Sequence, residues 1–297
     1  MIEACRKPDK NMNTTSAQEQ TPLTWLPLAA IGAIFLLLYW PAINEFVYDW
    51  SNDDNYSHGF LIPAVSGYLL WQKRACLKEI RLTTDNRGLV LLIIGLLLAI
   101  LGTAAAEWFT LRFSMIVVLL GLTLYLGGRE CLRVTWFPIV FIIFAIPWPY
   151  TLFRTLTFPM QLFSTQVTHL LISGMGITSL RQGNIIYLPN YALEVVEACS
   201  GLRSLITLSA LAAVFAYLSE GGILKRGLIF LTAFPVAITA NIIRLLITAL
   251  GAVVIGPEFA EGFIHSASGL VVFMVGLAIF VILTRTITWV GNRNLSS

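Results

Sequence analysis

Apolar segments of about 20 residues recur along this chain, and they limit its fold more than any other feature. A helix of about 20 apolar residues is what crosses the hydrocarbon core of a bilayer. Of the 297 residues, 57% are hydrophobic and only 12% are charged, which excludes the surface of an ordinary soluble protein. We therefore predict an all-α polytopic membrane protein.

We predict about eight transmembrane helices and one interfacial helix. The predicted spans are 24–44, 59–73, 88–106, 113–128, 134–150, 204–219, 227–248 and 267–285. The stretch 158–177 is apolar on one side, whereas Gln161, Thr165 and Thr168 recur at helical spacing on another. That pattern favours an interfacial or re-entrant helix, although a ninth span is the alternative.

The distribution of basic residues predicts the topology. With the N-terminus in the cytoplasm and 158–177 in the interface, the cytoplasmic side holds 14 of the 19 Lys and Arg residues. These are Arg6, Lys7, Lys10, Lys73, Arg74, Lys78, Arg81, Arg87, Arg129, Arg133, Lys225, Arg226, Arg285 and Arg293. A spanning 158–177 would move the last four of them outside, so the positive-inside rule favours eight spans.

Three regions follow from this topology. Residues 1–22 are polar and lack an apolar core, so we expect a disordered cytoplasmic tail and not a cleaved signal. Residues 23–286 form the transmembrane domain, and 287–297 form a cytoplasmic C-terminal tail. Both termini are thus expected in the cytoplasm.

A short β-hairpin is predicted on the outer side. Residues 184–188 and 192–196 have strand character, and Pro189-Asn190 between them is a turn signal. The hairpin would lead the chain into Cys199.

Cys199 is the candidate nucleophile. It lies in the run Glu197-Ala198-Cys199-Ser200-Gly201-Leu202-Arg203, at the predicted outer end of a span. A thiol at a helix start and near an arginine has a lowered pKa, which favours the thiolate. Ser200 is expected to cap the helix, Gly201 to let a substrate backbone approach, and Arg203 to share the face of the cysteine. The alternative is a small buried hydrophobic residue without chemistry.

Two later residues are predicted at the same membrane face. Arg244 follows Asn241 by one helical turn in a predicted span, and ionisable residues inside the membrane are usually functional. The alternative is an arginine that snorkels to the interface. His265 opens the last predicted span from outside, where it either assists Cys199 or merely hydrogen-bonds a loop.

His58 is the rival candidate for the base. It lies in Asp53-Asp54-Asn55-Tyr56-Ser57-His58-Gly59, also at an outer helix end. We favour a structural or substrate-contact role for His58, because Ser57 and His58 can simply cap the helix that follows.

These motifs, taken in order, resemble the exosortase branch of the exosortase/archaeosortase family. The resemblance rests on Glu197 to Arg203, Asn241-Ile242-Ile243-Arg244, His265 and Tyr56-Ser57-His58-Gly59, and it extends over about 25–285. It implies a transpeptidase-like cysteine protease of the bacterial inner membrane, with its active site on the periplasmic side. Its substrates would be secreted proteins with a C-terminal Pro-Glu-Pro-like motif, a transmembrane helix and a basic tail. Exosortases are associated with exopolysaccharide export.

The resemblance also implies residue roles. Cys199 would carry the acyl-thioester, Arg244 would be the proton donor, and His265 would take a third position where archaeal relatives tend to carry arginine. Because a guanidinium stays charged, the chemistry of Arg244 fits oxyanion stabilisation or thiolate pairing better than proton donation. The residues leave these roles open, as they leave open whether His265 or His58 is the base.

A non-enzymatic transporter or polysaccharide-export subunit is the competing prediction. No cofactor or metal is expected, because three scattered histidines do not form a metal-ligand motif. Nucleic-acid binding is not expected either, since the net charge is only +3. Membrane lipid and an unidentified acyl acceptor are the other expected partners.

Overall fold

The computed structural model describes residues 25–195, 201–260 and 262–293. The chain divides into two compact units, Met1–Pro147 and Trp148–Ser297. Within the described residues, all long elements are helices, as the apolar segments predict, and one small sheet accompanies them.

The first unit consists of helices. They are α1 (Trp25–Asn52), α2 (Leu61–Gln72), α3 (Arg74–Glu79), α4 (Arg87–Ala104) and α5 (Trp108–Phe141), with 3₁₀ turns at Asp54–Phe60 and Ile142–Ala145. The α4 and α5 helices pack closely along their length, because Gly88, Gly95 and Gly121 let the two backbones approach. Small residues at the contact are the usual means of helix association in membranes.

The α5 helix is broken at Gly128. This residue has φ 75° and ψ −174°, and a Cβ there would lie 2.6 Å from the carbonyl oxygen of Thr83. Only glycine accepts both conditions without strain. The break falls at the end of the predicted span 113–128, where Arg129, Glu130 and Arg133 interrupt the apolar sequence before 134–150.

A buried ion pair holds α1 to α5. Arg112 is 3% exposed and donates from Nη2 to Asp49 Oδ2 over 2.6 Å. Its guanidinium also lies 4.8 Å from the centre of the Phe46 ring. The charge count of the sequence assigned Arg112 to the outer side without saying whether it is exposed, and the structure buries it.

The second unit contains α6 (Tyr150–Gly174), β1 (Leu180–Gln182), β2 (Ile185–Tyr187), β3 (Ala192–Glu194), α7 (Leu202–Leu218), α8 (Ile223–Leu231), α9 (Ala233–Val254) and α10 (Gly262–Arg293). The α9 helix contacts α6, α7, α8 and α10, and is therefore the central element of this unit. A 3₁₀ turn, Pro257–Ala260, connects the end of α9 to α10.

The predicted β-hairpin is confirmed. Strands β2 and β3 pair antiparallel around Pro189-Asn190, with Ile186 opposite Leu193. A third strand, β1, which the sequence did not predict, pairs with β2. Ile186 and Leu193 form one buried cluster with Ala249 and Ala252 of α9, so the sheet covers the C-terminal turns of that helix.

The orientation of α6 differs from the expected one. Its polar residues Gln161, Thr165 and Thr168 are buried, whereas apolar residues such as Phe163 and Leu170 are exposed. An interfacial helix would turn its polar side to water. In α6 the polar side is instead buried, with Ser164 in contact with Asn241 of α9, and the apolar side is exposed.

Five stretches among the described helices are long and apolar enough to cross a membrane. They are Pro27–Asn52, Arg87–Ala104, Trp108–Ala145, Ile223–Val254 and Gly269–Trp289. The chain is therefore a multi-pass membrane protein, but the count of eight spans is not confirmed. The predicted spans 113–128 and 134–150 both overlap the single stretch 108–145, and two others correspond to the shorter helices α2 and α7.

Candidate functional site

The segment that contains Cys199 is anchored at both ends to α9. Residues 196–200, Cys199 and Ser200 among them, lie outside the described residues. On the N-terminal side, Val195 is fully buried and packs against Leu245. On the C-terminal side, Gly201 packs against Asn241. These two contacts on α9 are four residues apart, which is about 6 Å along the helix axis.

Hydrogen bonds fix the position of Val195. Its backbone N–H donates to the carbonyl oxygen of Asn184 over 2.9 Å, and Asn184 Nδ2 donates back to the Val195 carbonyl over 3.2 Å. The hairpin therefore holds the chain where it leaves the sheet.

Gly201 begins the next helix in an unusual conformation. It is the N-cap of α7 with φ 80°, and its carbonyl accepts the N–H of Leu205 over 2.9 Å. A Cβ at this position would lie 2.7 Å from Asn241 Cγ. Both the positive φ and the close packing require glycine. Gly201, and not the predicted Ser200, thus occupies the N-cap.

Arg203 is the second residue of α7, which begins at Leu202, and its side chain is exposed. Because Cys199 lies outside the described residues, the shared face of Arg203 and Cys199 stays a prediction.

Asn241 of α9 contacts both α6 and the start of α7. It is 4% exposed, and its Nδ2 donates to Ser164 Oγ of α6 over 3.3 Å. Its other side packs on Gly201. Asn241 therefore contacts both α6 and the start of α7.

Arg244 lies one turn after Asn241 and reaches α10. A Cβ on Gly269 would lie 3.2 Å from both Cζ and Nε of Arg244 and 3.3 Å from Nη2. The guanidinium thus lies against the bare backbone of Gly269, and its Nε is buried. His265 precedes Gly269 by one turn of α10, but its side chain lies outside the described part of the structure.

His58 belongs to the other unit and has a local contact there. It lies in the 3₁₀ turn Asp54–Phe60, is buried, and its Nε2 is 3.3 Å from the carbonyl oxygen of Phe144. This contact is a structural one, and the substrate-contact role that the sequence also allowed for His58 stays a prediction.

Two residues of the site were missed by sequence reasoning. Ser164 and Gly269 contact Asn241 and Arg244 only through the packing of distant helices. Ser164 does share the helical phase of Gln161 and Thr168, so the polar stripe was a signal for it. Gly269 gave no local signal. Among the described residues, no three His, Cys, Asp or Glu side chains converge as metal ligands would.

The chain matches the family model described as transmembrane exosortase over residues 50–282. No curated protein sequence matches it. No solved structure does so either. The matched region covers most of both units, including Asn241, Arg244 and the segment around Cys199. The chain therefore belongs to the transmembrane exosortase family.

Proposed function

We propose that this exosortase is a membrane-embedded cysteine protease and transpeptidase that cleaves C-terminal sorting signals. Its substrates are exported proteins that end in a short Pro-Glu-Pro-like motif, a transmembrane helix and a basic tail. One observation carries the proposal. Both ends of the segment with Cys199 pack on α9, at Leu245 and Asn241, and Arg244 lies on the same helix between these contacts.

The first step forms a thioester on Cys199. The thiolate attacks the carbonyl carbon of the scissile peptide bond, a C–S bond forms, and the C–N bond then breaks. The leaving amine carries away the helix and basic tail, and it takes the proton that the thiol gave up. His265 is proposed to hold that proton between the two events.

Arg244 is proposed to stabilise charge in this step. Its guanidinium stays protonated, so it pairs with the thiolate or with the oxyanion of the tetrahedral intermediate. Gly269 supports this role because it places no side chain against the guanidinium. His265 supports it as well, since it lies one helical turn from Gly269.

In the second step an acceptor attacks the thioester. An amine acceptor gives transpeptidation, and water gives hydrolysis. The proposed site faces the periplasm from the inner membrane, and the sorted proteins take part in surface assembly linked to exopolysaccharide export.

The test is processing of a co-expressed reporter. A secreted domain followed by the motif, an apolar helix and a basic tail is produced with the wild-type chain or with Cys199→Ala. We expect a shortened reporter with the wild type and none with Cys199→Ala. Cys131→Ala is the matched control, because Cys131 is a free thiol in the other unit.

Unchanged processing in Cys199→Ala would reject the protease function. The transporter or export-subunit function would then be the better-supported one, and exopolysaccharide secretion by the same strain would be measured next. Loss of processing in Cys131→Ala at normal protein level would equally contradict the assignment of the nucleophile.

A further inference from the structure

The helices α9 and α10 pack against each other in opposite directions. Arg244 packs on Gly269, whereas Ala240, one turn earlier in α9, lies opposite Gly276, which is later in α10. A Cβ on Gly276 would lie 3.3 Å from Cβ of Ala240, so small residues set the spacing of the two helices here.

An apolar groove runs along this contact. Its lining residues lie within 235–247 of α9 and 271–283 of α10, and all of them except Thr239 are apolar. Both ranges cover about 18 Å of helix. Val275 and Ile279 of the lining are 51% and 41% exposed, so the groove is open along its side. Its volume of about 350 Å³ is within the range of ligand sites, and its lining suits an apolar chain.

One end of the groove continues into a second cleft, which we call the basic cleft. The groove ends on α10 at Leu283, and Thr286 follows it by one turn of the same unbroken helix. Thr286 lines the basic cleft together with Arg285, Thr288 and Trp289. Arg285 and Trp289 are exposed. An exposed tryptophan at the end of an apolar helix is typical of the headgroup level of a membrane.

A second cation reaches the basic cleft from α8. Lys225 Nζ donates to the carbonyl oxygen of Thr288 over 3.5 Å. Thr288 Oγ1 in turn donates to the carbonyl oxygen of Arg285 over 2.8 Å. The ammonium of Lys225 therefore lies against the helical turn that carries the guanidinium of Arg285.

The helices that form the groove and the basic cleft contain no carboxylate. Residues 221–257 and 262–297, which include α8, α9 and α10, have neither Asp nor Glu, and Glu220 just before them is exposed. Positive charge of this kind at a membrane surface attracts anionic headgroups. A cationic cleft that continues into an apolar groove thus suits a ligand with an anionic head and an apolar chain.

We propose that the groove and the basic cleft together bind one anionic phospholipid. An acyl chain lies in the groove between α9 and α10, and the phosphate lies at Arg285 and Lys225. The competing occupant is the substrate helix of the proposed function. With its motif near Arg244, that helix would bring its basic tail to Arg285 and Lys225, where like charges repel. The charge of the cleft therefore favours the lipid.

Native mass spectrometry of the full chain in detergent tests the headgroup site. Phosphatidylglycerol and phosphatidylcholine with identical acyl chains are titrated separately, and we expect tighter binding of phosphatidylglycerol. Arg285→Gln should weaken that binding about fivefold, and Lys225→Gln with Arg285→Gln about thirtyfold, as the effect of one basic residue at a membrane surface predicts. Arg285→Lys should retain most of the affinity, because it keeps the charge.

Arg129→Gln with Arg133→Gln is the matched control for charge. These two arginines belong to the other unit, and their side chains are 55% and 69% exposed. The pair of substitutions removes the same net charge as Lys225→Gln with Arg285→Gln, and it should leave the affinity for phosphatidylglycerol unchanged.

Val275→Trp tests the groove. The larger side chain fills the groove from its open side, and displacing even two methylene groups of the acyl chain should weaken phosphatidylglycerol binding roughly tenfold. Met274→Trp is the matched control, because Met274 is 54% exposed on the same helix but does not line the groove. It should bind like the wild type.

Four outcomes would overturn the lipid site. The first is equal affinity of the wild type for the two lipids, and the second is a loss in the Arg129 and Arg133 control as large as that in the Lys225 and Arg285 variant. The third is unchanged binding in Val275→Trp, which would remove the acyl chain from the groove. The fourth is displacement of phosphatidylglycerol by a synthetic apolar helix that lacks a basic tail, which would assign the groove to a protein segment.

Discussion

The backbone of Gly201 lies directly on the side chain of Asn241, and this contact joins the start of α7 to the centre of α9. Cys199 is two residues before Gly201 in sequence. Any change that separates Gly201 from Asn241 therefore moves the end of the segment that carries the proposed nucleophile.

Gly201→Ala is expected to damage both stability and processing. The new methyl group would lie 2.7 Å from Asn241 Cγ, on a residue whose φ is 80°. We expect a loss of about 2 kcal/mol or more in the free energy of unfolding. Thermal unfolding in detergent and reporter processing measure the two effects.

Gly176→Ala separates the cost of the backbone conformation from the cost of steric overlap with Asn241. Gly176 has φ 82°, but a Cβ there meets no atom within 4 Å. Its alanine variant should lose only the cost of the backbone conformation, about 1 kcal/mol, and keep processing. Equal losses in the two variants would show that the Asn241 contact has no energetic weight.

Gly269→Val is expected to reduce processing by displacing Arg244. Even a Cβ added to Gly269 would lie 3.2 Å from Cζ of that guanidinium. The branched side chain of valine therefore has no room beside Arg244. A shift of about 1 Å in a charge-stabilising group costs roughly tenfold to a hundredfold in rate. The rate of reporter cleavage, normalised to protein level, gives the result.

Gly227→Ala is the control for this change. It adds a Cβ to a helical glycine that has no neighbour within 4 Å, so cleavage should stay at the wild-type rate. Normal cleavage in Gly269→Val would mean that the position of Arg244 against α10 is irrelevant to the reaction.

Apolar length was a reliable guide to the helices of this chain. Predicted spans contain the centres of α1, α4, α9 and α10. This agreement is expected because a helix needs about 20 apolar residues to cross the bilayer core, whatever its tertiary partners are. The hairpin was also predictable, since the Pro189-Asn190 turn signal is local.

The arrangement of polar residues could not be predicted in the same way. In α6 the sequence pattern separates a polar from an apolar side, but it does not say whether water or protein faces the polar side. The answer depends on Asn241, which is 77 residues from its partner Ser164. The burial of Arg112 could not be predicted for the same reason, because its partner Asp49 lies 63 residues away.

Arg112→Ala is expected to destabilise the first unit by about 3 kcal/mol. Removing one partner of a buried pair leaves the other charge uncompensated, and the 28% exposure of the Asp49 side chain keeps the cost near the low end. Replacing both residues, with Arg112→Met and Asp49→Leu, should recover most of the loss. The measurement is the thermal unfolding of the full chain in detergent.

Arg133→Ala is the exposed counterpart. Arg133 and Glu130 form an ion pair whose side chains are 69% and 63% exposed, so its loss should cost about 0.5 kcal/mol or less. If Arg112→Ala were as mild as Arg133→Ala, the Arg112–Asp49 pair would not be holding α1 to α5.

Glu107 gives the fold a dependence on pH. Its carboxylate caps α5 by accepting the backbone N–H groups of Phe109 and Thr110 over 3.1 and 2.6 Å. Burial alone would raise the pKa of Glu107, but the hydrogen bonds from Thr110 and Phe109 outweigh it, and the pKa is lowered from its usual value of 4.5. The carboxylate is therefore the form that the folded chain favours.

The sign of the effect follows from the lowered pKa. The contribution of Glu107 is complete above about pH 4.5, and it is lost as the pH falls through the lower pKa of the folded state. Glu107→Ala should cost about 1 kcal/mol at neutral pH and less under acid. Unfolding temperatures of wild type and variant, measured from pH 7 downward, should therefore converge. Curves that stay parallel down to low pH would contradict a capping role for the ionised carboxylate.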